Sequence, residues 1–323
     1  MKKVLVTLPN SIAGTLILNG FAQGFKANGC AVYIKDLREL TVNYIQKIKP
    51  DIIFGYDYGF LFSDDKELVS FITENQNQYK LVHYFADEPQ GKYACVNKTY
   101  LYEDFKKIDA KTYMWDRGFV KDIEDSLYMP LAVNYKAYRP DEGKKYDISF
   151  VGRPLTEKRQ KVLASLVRVF GKKLNIFCYE KHFLQSLDDM QDRQLLSDDE
   201  LDVYKSCYRG FLKTEQDLAN VYFNSKVNIN ITLQGDSGLN YRVFEILASR
   251  GFLLTDDMGD IERNFVIAKE LEVYKDIDDL IDKTAFYLKN IEIGQKIALL
   301  GFSNVAKSHS YTARVNKILS DLK

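Results

Sequence analysis

Two hydrophobic periods alternate along the first half of the chain. Lys3–Leu8 is a short, nearly unbroken apolar run that stops at Pro9-Asn10, which predicts a buried strand. Ser11–Asn28 carries apolar residues at helical spacing, with Gly29 as its stop. The pattern repeats: strand Ala31–Ile34, helix Leu37–Lys47 closed by Pro50, strand Asp51–Gly55, then helix Asp64–Asn75 with an acidic first turn. Strands Leu81–Phe85 and Lys111–Trp115, a helix over Asp116–Asp125 and a strand at Leu127–Met129 follow. Short buried strands alternating with helices predict a parallel sheet covered on both faces.

The pattern breaks at Tyr138-Arg139-Pro140-Asp141-Glu142-Gly143-Lys144-Lys145, a polar stretch read as a linker. It divides a first domain, 1–140, from a second, 146–323. The second restarts with strand Tyr146–Val151, helix Thr156–Phe170 and strand Leu174–Cys178. Residues 181–211 read as irregular and charged. Helix Thr214–Asn224, strand Lys226–Ile231, the Gly235–Asn240 loop, helix Tyr241–Ser249 and strand Phe252–Thr255 come next. The tail is helical, with starts at Asp276, Ile291 and His309. The expectation is two α/β domains in tandem, facing across a cleft onto which the carboxyl ends of both sheets open. Ligands of open α/β sheets bind at those ends, so the strand-to-helix loops are where chemistry belongs.

Composition narrows the partners. The chain has 323 residues, 46% of them hydrophobic, and 45 Lys+Arg balance 45 Asp+Glu. Zero net charge argues against holding nucleic acid by bulk electrostatics, yet leaves room for a small basic pocket around one phosphorylated ligand. Cys30, Cys95, Cys178 and Cys207 show no paired spacing, which fits free thiols in a reducing cytosol. His83, His182 and His309 are too dispersed for a zinc set. The first apolar run is too short for an export signal, and no stretch reaches the ~18 residues of a membrane span. A cytoplasmic location is therefore expected; the oligomeric state is not legible.

Four loops offer candidate chemistry. Pro9–Thr15 leads into a helix N-terminus, where Gly14 would let a ligand approach the backbone; a plain turn capped by Ser11 reads equally well. His83-Tyr84-Phe85-Ala86-Asp87-Glu88-Pro89 puts an imidazole and two carboxylates at a strand end, suited to a general base. A buried, satisfied His83 and a capping Asp87 compete with that reading. Gly152-Arg153-Pro154-Leu155-Thr156-Glu157-Lys158-Arg159 offers a glycine turn with Arg153 and Lys158 to neutralise a diphosphate. Basic groups at a helix start oppose its dipole, which favours function over a solvated turn. Leu233–Gly251 holds a glycine-bearing loop running into a helix whose first turns carry Asn240, Arg242 and Glu245. There a carboxylate could accept two ribose hydroxyls, and a surface Arg242–Glu245 pair is the plainer alternative.

Gly238-Leu239-Asn240-Tyr241-Arg242-Val243-Phe244-Glu245-Ile246-Leu247-Ala248 followed by Gly251–Asp256 resembles the donor-site helix of GT-B glycosyltransferases, in particular the bacterial group-1 branch that includes spore-maturation-type enzymes. Phe150-Val151-Gly152, Met129–Asn134, Val273–Asp276 and His309–Arg314 match that branch in order. The resemblance spans most of 110–320 and is weaker in 1–100. It implies two Rossmann-like domains, a nucleotide-sugar donor of UDP or GDP type held mainly by the second, an acceptor (glycan, protein or small molecule) near the first, and a C-terminal helix packing back toward the first domain. By that resemblance Glu245 binds the donor ribose, Arg153 and Lys158 the diphosphate, and Gly152, Gly238, Asn240, Tyr241 and Arg242 surround the phosphates. Ser237 departs from the pattern: it stands where retaining members often carry Glu, with Asp236 beside it. Asp87, then His83, is the expected base if the reaction inverts. Asp276-Ile277-Asp278 reads as a helix cap, and the expected reaction uses no metal, cofactor or nucleic-acid partner. A sugar-nucleotide epimerase of the same shape and a non-catalytic sugar-binding protein are the alternatives.

Overall fold

The computed structural model describes residues 1–89, 99–233 and 237–323. Cys95, Gly235 and Asp236 lie outside the described residues. In chain order the first elements are β1 (Lys3–Leu8), α1 (Ile12–Ala27), β2 (Ala31–Asp36), α2 (Val42–Ile48), β3 (Ile52–Tyr56), α3 (Lys66–Glu74), β4 (Lys80–Phe85), α4 (Thr99–Phe105), β5 (Ala110–Met114) and β6 (Leu127–Tyr128). Next come β7 (Tyr146–Val151), α5 (Glu157–Phe170), β8 (Leu174–Phe177), α6 (Glu180–Asp192), α7 (Asp198–Ser206), β9 (Tyr208–Gly210), α8 (Glu215–Phe223) and β10 (Ser225–Asn230). The chain ends with α9 (Tyr241–Ala248), β11 (Leu253–Asp256), α10 (Ile261–Asn264), β12 (Glu272–Tyr274), α11 (Ile277–Lys289), α12 (Ile291–Ser308) and α13 (Tyr311–Asp321).

These elements form two compact units: Met1–Val133 with Gln234–Leu239 and Lys307–Lys323, and Asn134–Leu233 with Asn240–Ala306. The first holds a six-stranded sheet in the order β2-β1-β3-β4-β5-β6, every pairing parallel. Val4, Leu5 and Val6 are all buried, because helices cover both faces; that is why β1 reads as an apolar run rather than an alternation. On one face Phe21 and Phe25 of α1 pack on Phe54, and Phe21 also meets Tyr84. On the other, Leu5, Ile53 and Leu81 cluster with Ile45, Leu68 and Ile72.

The last helix belongs to this first unit, toward which the resemblance implied that it packs, although the expected domain bounds counted it within 146–323. A Cβ at Gly20 would fall 2.2 Å from the Tyr311 ring, and one at Gly24 would fall 2.6 Å from the Tyr311 carbonyl oxygen. Only glycine lets α13 lie this close to α1. Arg314 fastens the helix start by donating to the carbonyls of Pro130, Leu131 and Ser308 at 2.9, 3.1 and 2.9 Å.

The second unit has a six-stranded parallel sheet in the order β12-β11-β10-β7-β8-β9. Ile148, Phe150, Ile176, Val227, Ile229 and Leu254 form its core with Leu163, Val167, Tyr204 and Leu280. The 181–211 stretch, read as irregular, folds as α6, α7 and β9. Its apolar residues are sparse but in phase: Phe183 and Met190 are buried on α6, Leu201 and Tyr204 on α7. Ser197 and Glu200 start α7 with a reciprocal capping box. The expected helix over Asp116–Asp125 is only a short 3-10 turn, Arg117–Asp122. Asp276 caps α11, its carboxylate accepting from Asp279 N at 2.8 Å.

The chain winds outward from β7 through β8 and β9, then returns to β10 on the other side of β7. The reversal parts the loops after β7 and β10, and such a switch point is where open α/β sheets bind ligands. In the first unit the equivalent place lies between β1 and β3.

Candidate functional site

In the second unit the switch point gathers positive charge. Gly152, just past β7, has φ +149°, a region that L side chains rarely adopt. Its missing side chain makes room for Arg242 of α9: a Cβ there would lie 2.9 Å from Arg242 Nη2 and 3.0 Å from Cζ. Arg159 is buried at 2% exposure and donates from Nε and Nη2 to the Ile231 carbonyl at 3.2 and 2.8 Å, and from Nη1 to the Arg153 carbonyl at 2.8 Å. It thereby ties the loop after β7 to the end of β10. Burial, followed by the like charges of Arg242 and Arg153, pushes the Arg159 guanidinium down to about 9, with Asp256 opposing. The side chain of Arg153 is exposed. Three guanidinium groups thus share one corner, an arrangement that an anion relieves.

Lys158 is at the same corner, but its ammonium is on Asp256 at 2.5 Å. The Asp256 carboxylate also accepts from Thr232 N at 3.0 Å and Thr232 Oγ1 at 2.9 Å. Asn240 stands at the head of α9 without capping it through its side chain. Its amide instead donates to Asn230 Oδ1 at 3.1 Å. Helix α9, like α6 and α10, has no side-chain cap at its start. One turn on, the half-buried Glu245 accepts from the Tyr138 hydroxyl at 2.9 Å. Burial raises the Glu245 pKa, while Arg242 and the Tyr138 bond act against that rise. Tyr241 is half-buried beside Tyr138. Six residues singled out from sequence, Gly152, Arg153, Lys158, Asn240, Arg242 and Glu245, therefore converge on this unit's switch point.

The first unit treats its candidates differently. His83 is 1% exposed, with Nδ1 2.8 Å from the Asp57 carbonyl and its ring edge-on to Phe105. Burial holds its pKa down to about 4. It fills the core under Gly59, where a Cβ would lie 2.5 Å from its Cε1. This geometry gives His83 a packing role in place of that of a base. Asp87, beyond β4, is half-buried and receives a hydrogen bond from the Tyr56 hydroxyl. Gly14 is also buried: a Cβ would strike Pro9 Cγ at 2.6 Å and the capping Ser11 Oγ at 2.7 Å, and would lie 3.2 Å from Tyr56. Its lack of a side chain serves the turn, though Gly14, Tyr56 and Asp87 do meet beside this sheet's switch point. Gly238 packs against Trp115 and Asp116, where a Cβ would fall 2.7 and 2.8 Å from their side chains. That packing, rather than a phosphate, accounts for the glycine.

Sequence reasoning missed Arg159, Asp256, Tyr138 and Asp116. Asp116 is fully buried and accepts from Gly118 N at 2.7 Å, Ser237 N at 3.1 Å and Ser237 Oγ at 2.8 Å, which holds the 237–239 segment. A signal existed for Arg159, an Arg on the apolar stripe of a helix, and for Asp256, an acid closing a buried strand. Tyr138 lay in the supposed linker and carried none.

A model of a family described as glycosyl transferase-like matches residues 159–320. No curated protein matches the sequence. Among solved structures, a glycosyltransferase from Rickettsia africae superposes with a TM-score of 0.68 at 12% identity, over 99% of this chain and 97% of that one. HepE of Anabaena in complex with UDP gives 0.68 at 8% identity, over 99% and 100%. Sucrose-phosphate synthase of Thermosynechococcus elongatus gives 0.68 at 9%, over 100% and 99%. At such identities the likeness is one of fold, the GT-B arrangement of two parallel α/β sheets.

Proposed function

The chain belongs to the glycosyl transferase-like family, and from that premise we propose that it moves a sugar from a nucleoside diphosphate sugar to a glycan, protein or small-molecule acceptor. The observation that carries this reading is the gathering of Arg153, Arg159 and Arg242 over Gly152 at a sheet switch point. UDP is the first nucleotide to test, because HepE was crystallised with it; GDP is the second.

In the proposed reaction the C1–O bond to the diphosphate breaks, C1 passes through an oxocarbenium-like state, and the acceptor oxygen forms the new bond. Negative charge grows on the departing diphosphate. The guanidinium groups and the N-terminus of α9 would meet it in place, without reorganisation. Lys158 adds its charge by sharing Asp256. The positive charge this step needs is supplied by the chain, so turnover is expected to persist in a chelator. Glu245 takes the ribose hydroxyls. Asp87, oriented by Tyr56, is assigned to the acceptor side, where it would take the hydroxyl proton in an inverting reaction.

Calorimetric titration with UDP, GDP and ADP tests the donor site. One diphosphate should bind, and Arg242→Ala should weaken it roughly 10–100-fold, the range for losing a hydrogen bond between charged groups. Equal affinity in that variant, or no binding of any of the three, would overturn the reading.

A further inference from the structure

Glu245 has a partner that its assigned task does not require. Tyr138, 5% exposed, donates its hydroxyl to Glu245 Oε1 at 2.9 Å from a segment 107 residues earlier in the chain. Burial and the adjacent carboxyl group keep this hydroxyl protonated, so it has a proton to donate to Glu245. A carboxylate has two oxygens, and a ribose diol asks for acceptors on a defined side. The Tyr138 bond restrains Oε1, so the carboxyl group has less freedom to turn and Oε2 stays available as an acceptor. The bond also lowers the Glu245 pKa against the burial that raises it.

We propose that Tyr138 is a positioning residue for the donor ribose, which holds the Glu245 carboxyl group in one orientation and so enforces a preference for ribonucleotides. The inference rests on the assignment of Glu245 to the ribose. The other groups facing Glu245 are Arg242 on its own helix, which favours the charged form, and Glu215 at the start of α8, which disfavours it. Tyr222 of α8 is buried within electrostatic reach of Glu245 and Arg242, and its hydroxyl has no partner among the described residues. It stands too far up in pKa to titrate in the working range.

The test compares wild-type chain, Tyr138→Phe and Glu245→Gln. Each is titrated with the diphosphate that wild type binds and with its 2′-deoxy form, from pH 5 to 8. Tyr138→Phe removes one oxygen atom and no carbon. It is expected to weaken the ribonucleotide about tenfold and the deoxynucleotide less, narrowing the discrimination. The acid limb of binding should also move to higher pH, because Glu245 loses a stabilising donor. With the matching donor sugar, KM should rise and kcat hold. A merely structural tyrosine would lower stability and leave the pH limb and the ribose preference in place; that result overturns the proposal. If Glu245→Gln itself leaves the ribose preference intact, the ribose assignment fails and the positioning role fails with it. If Glu245→Gln abolishes the preference while Tyr138→Phe changes neither preference nor pH limb, only the positioning role fails.

Discussion

Gly152→Ala separates backbone strain from loss of the anion site. At φ +149° the added methyl group costs about 1–3 kcal/mol of backbone strain. The Cβ would also start 2.9 Å from Arg242 Nη2. Relief to an ordinary contact pushes the guanidinium away by roughly half an ångström, which the flexible side chain permits. Displacing it forfeits about one charge-assisted hydrogen bond to the diphosphate, about 1.5 kcal/mol or a little over tenfold in affinity. Gly171→Ala is the matched control: φ is +55°, and nothing lies within 4 Å of the new methyl. It should cost about 1–2 kcal/mol of stability and leave binding unchanged. Urea denaturation and calorimetry on both variants read the two effects apart. Wild-type nucleotide affinity in Gly152→Ala, or an equal loss in Gly171→Ala, would refute the reasoning.

Three further outcomes follow from the same geometry. Asp116→Ala strands two backbone N–H groups and a hydroxyl, and should cost roughly 3 kcal/mol; Asp116→Asn keeps one acceptor and should cost less, as compared by urea midpoints. His83 is buried neutral with its pKa near 4, below the unfolded value of about 6.5. The unfolded chain therefore binds more protons between those values, so stability is level above pH 6.5 and falls as pH drops toward 4, by about 3 kcal/mol in all. His83→Asn should flatten that part of the pH profile of the urea midpoint. Asp256→Asn removes the carboxylate that occupies Lys158 and should tighten diphosphate binding a few-fold at low salt, an effect that high salt erases; unchanged affinity would show that Lys158 does not reach the phosphates.

The parallel sheets were legible because β1 is buried on both faces and spells itself as an apolar run, while β7 and β10 alternate apolar with polar residues at the strand period. Helix starts were legible where Ser11, Thr156, Thr214 and Asp276 cap locally. The 181–211 segment was not, since α6 and α7 each bury only a few side chains among many charged ones. Gly152, Arg153 and Arg242 could be picked out by residue type and spacing. Gly14 and Gly238 looked similar on paper, yet each is there to admit a neighbouring side chain. His83 read as a candidate base because a sequence shows an imidazole but not the phenylalanines around it.

The sequence by itself determined the α/β class, the strand-and-helix alternation over much of the chain outside 181–211, and the loops rich enough in glycine and arginine to hold a phosphate. These follow from local periodicity and residue chemistry, which need no partner far along the chain. Only the tertiary structure decided the rest: that β10 returns beside β7 so that two separate loops share a corner, that buried Arg159 ties them together, that α13 lies on the glycines of α1, and that Tyr138 reaches Glu245. Each of these is a contact between residues distant in sequence, set by how strands order themselves in a sheet and how side chains fill the space that remains.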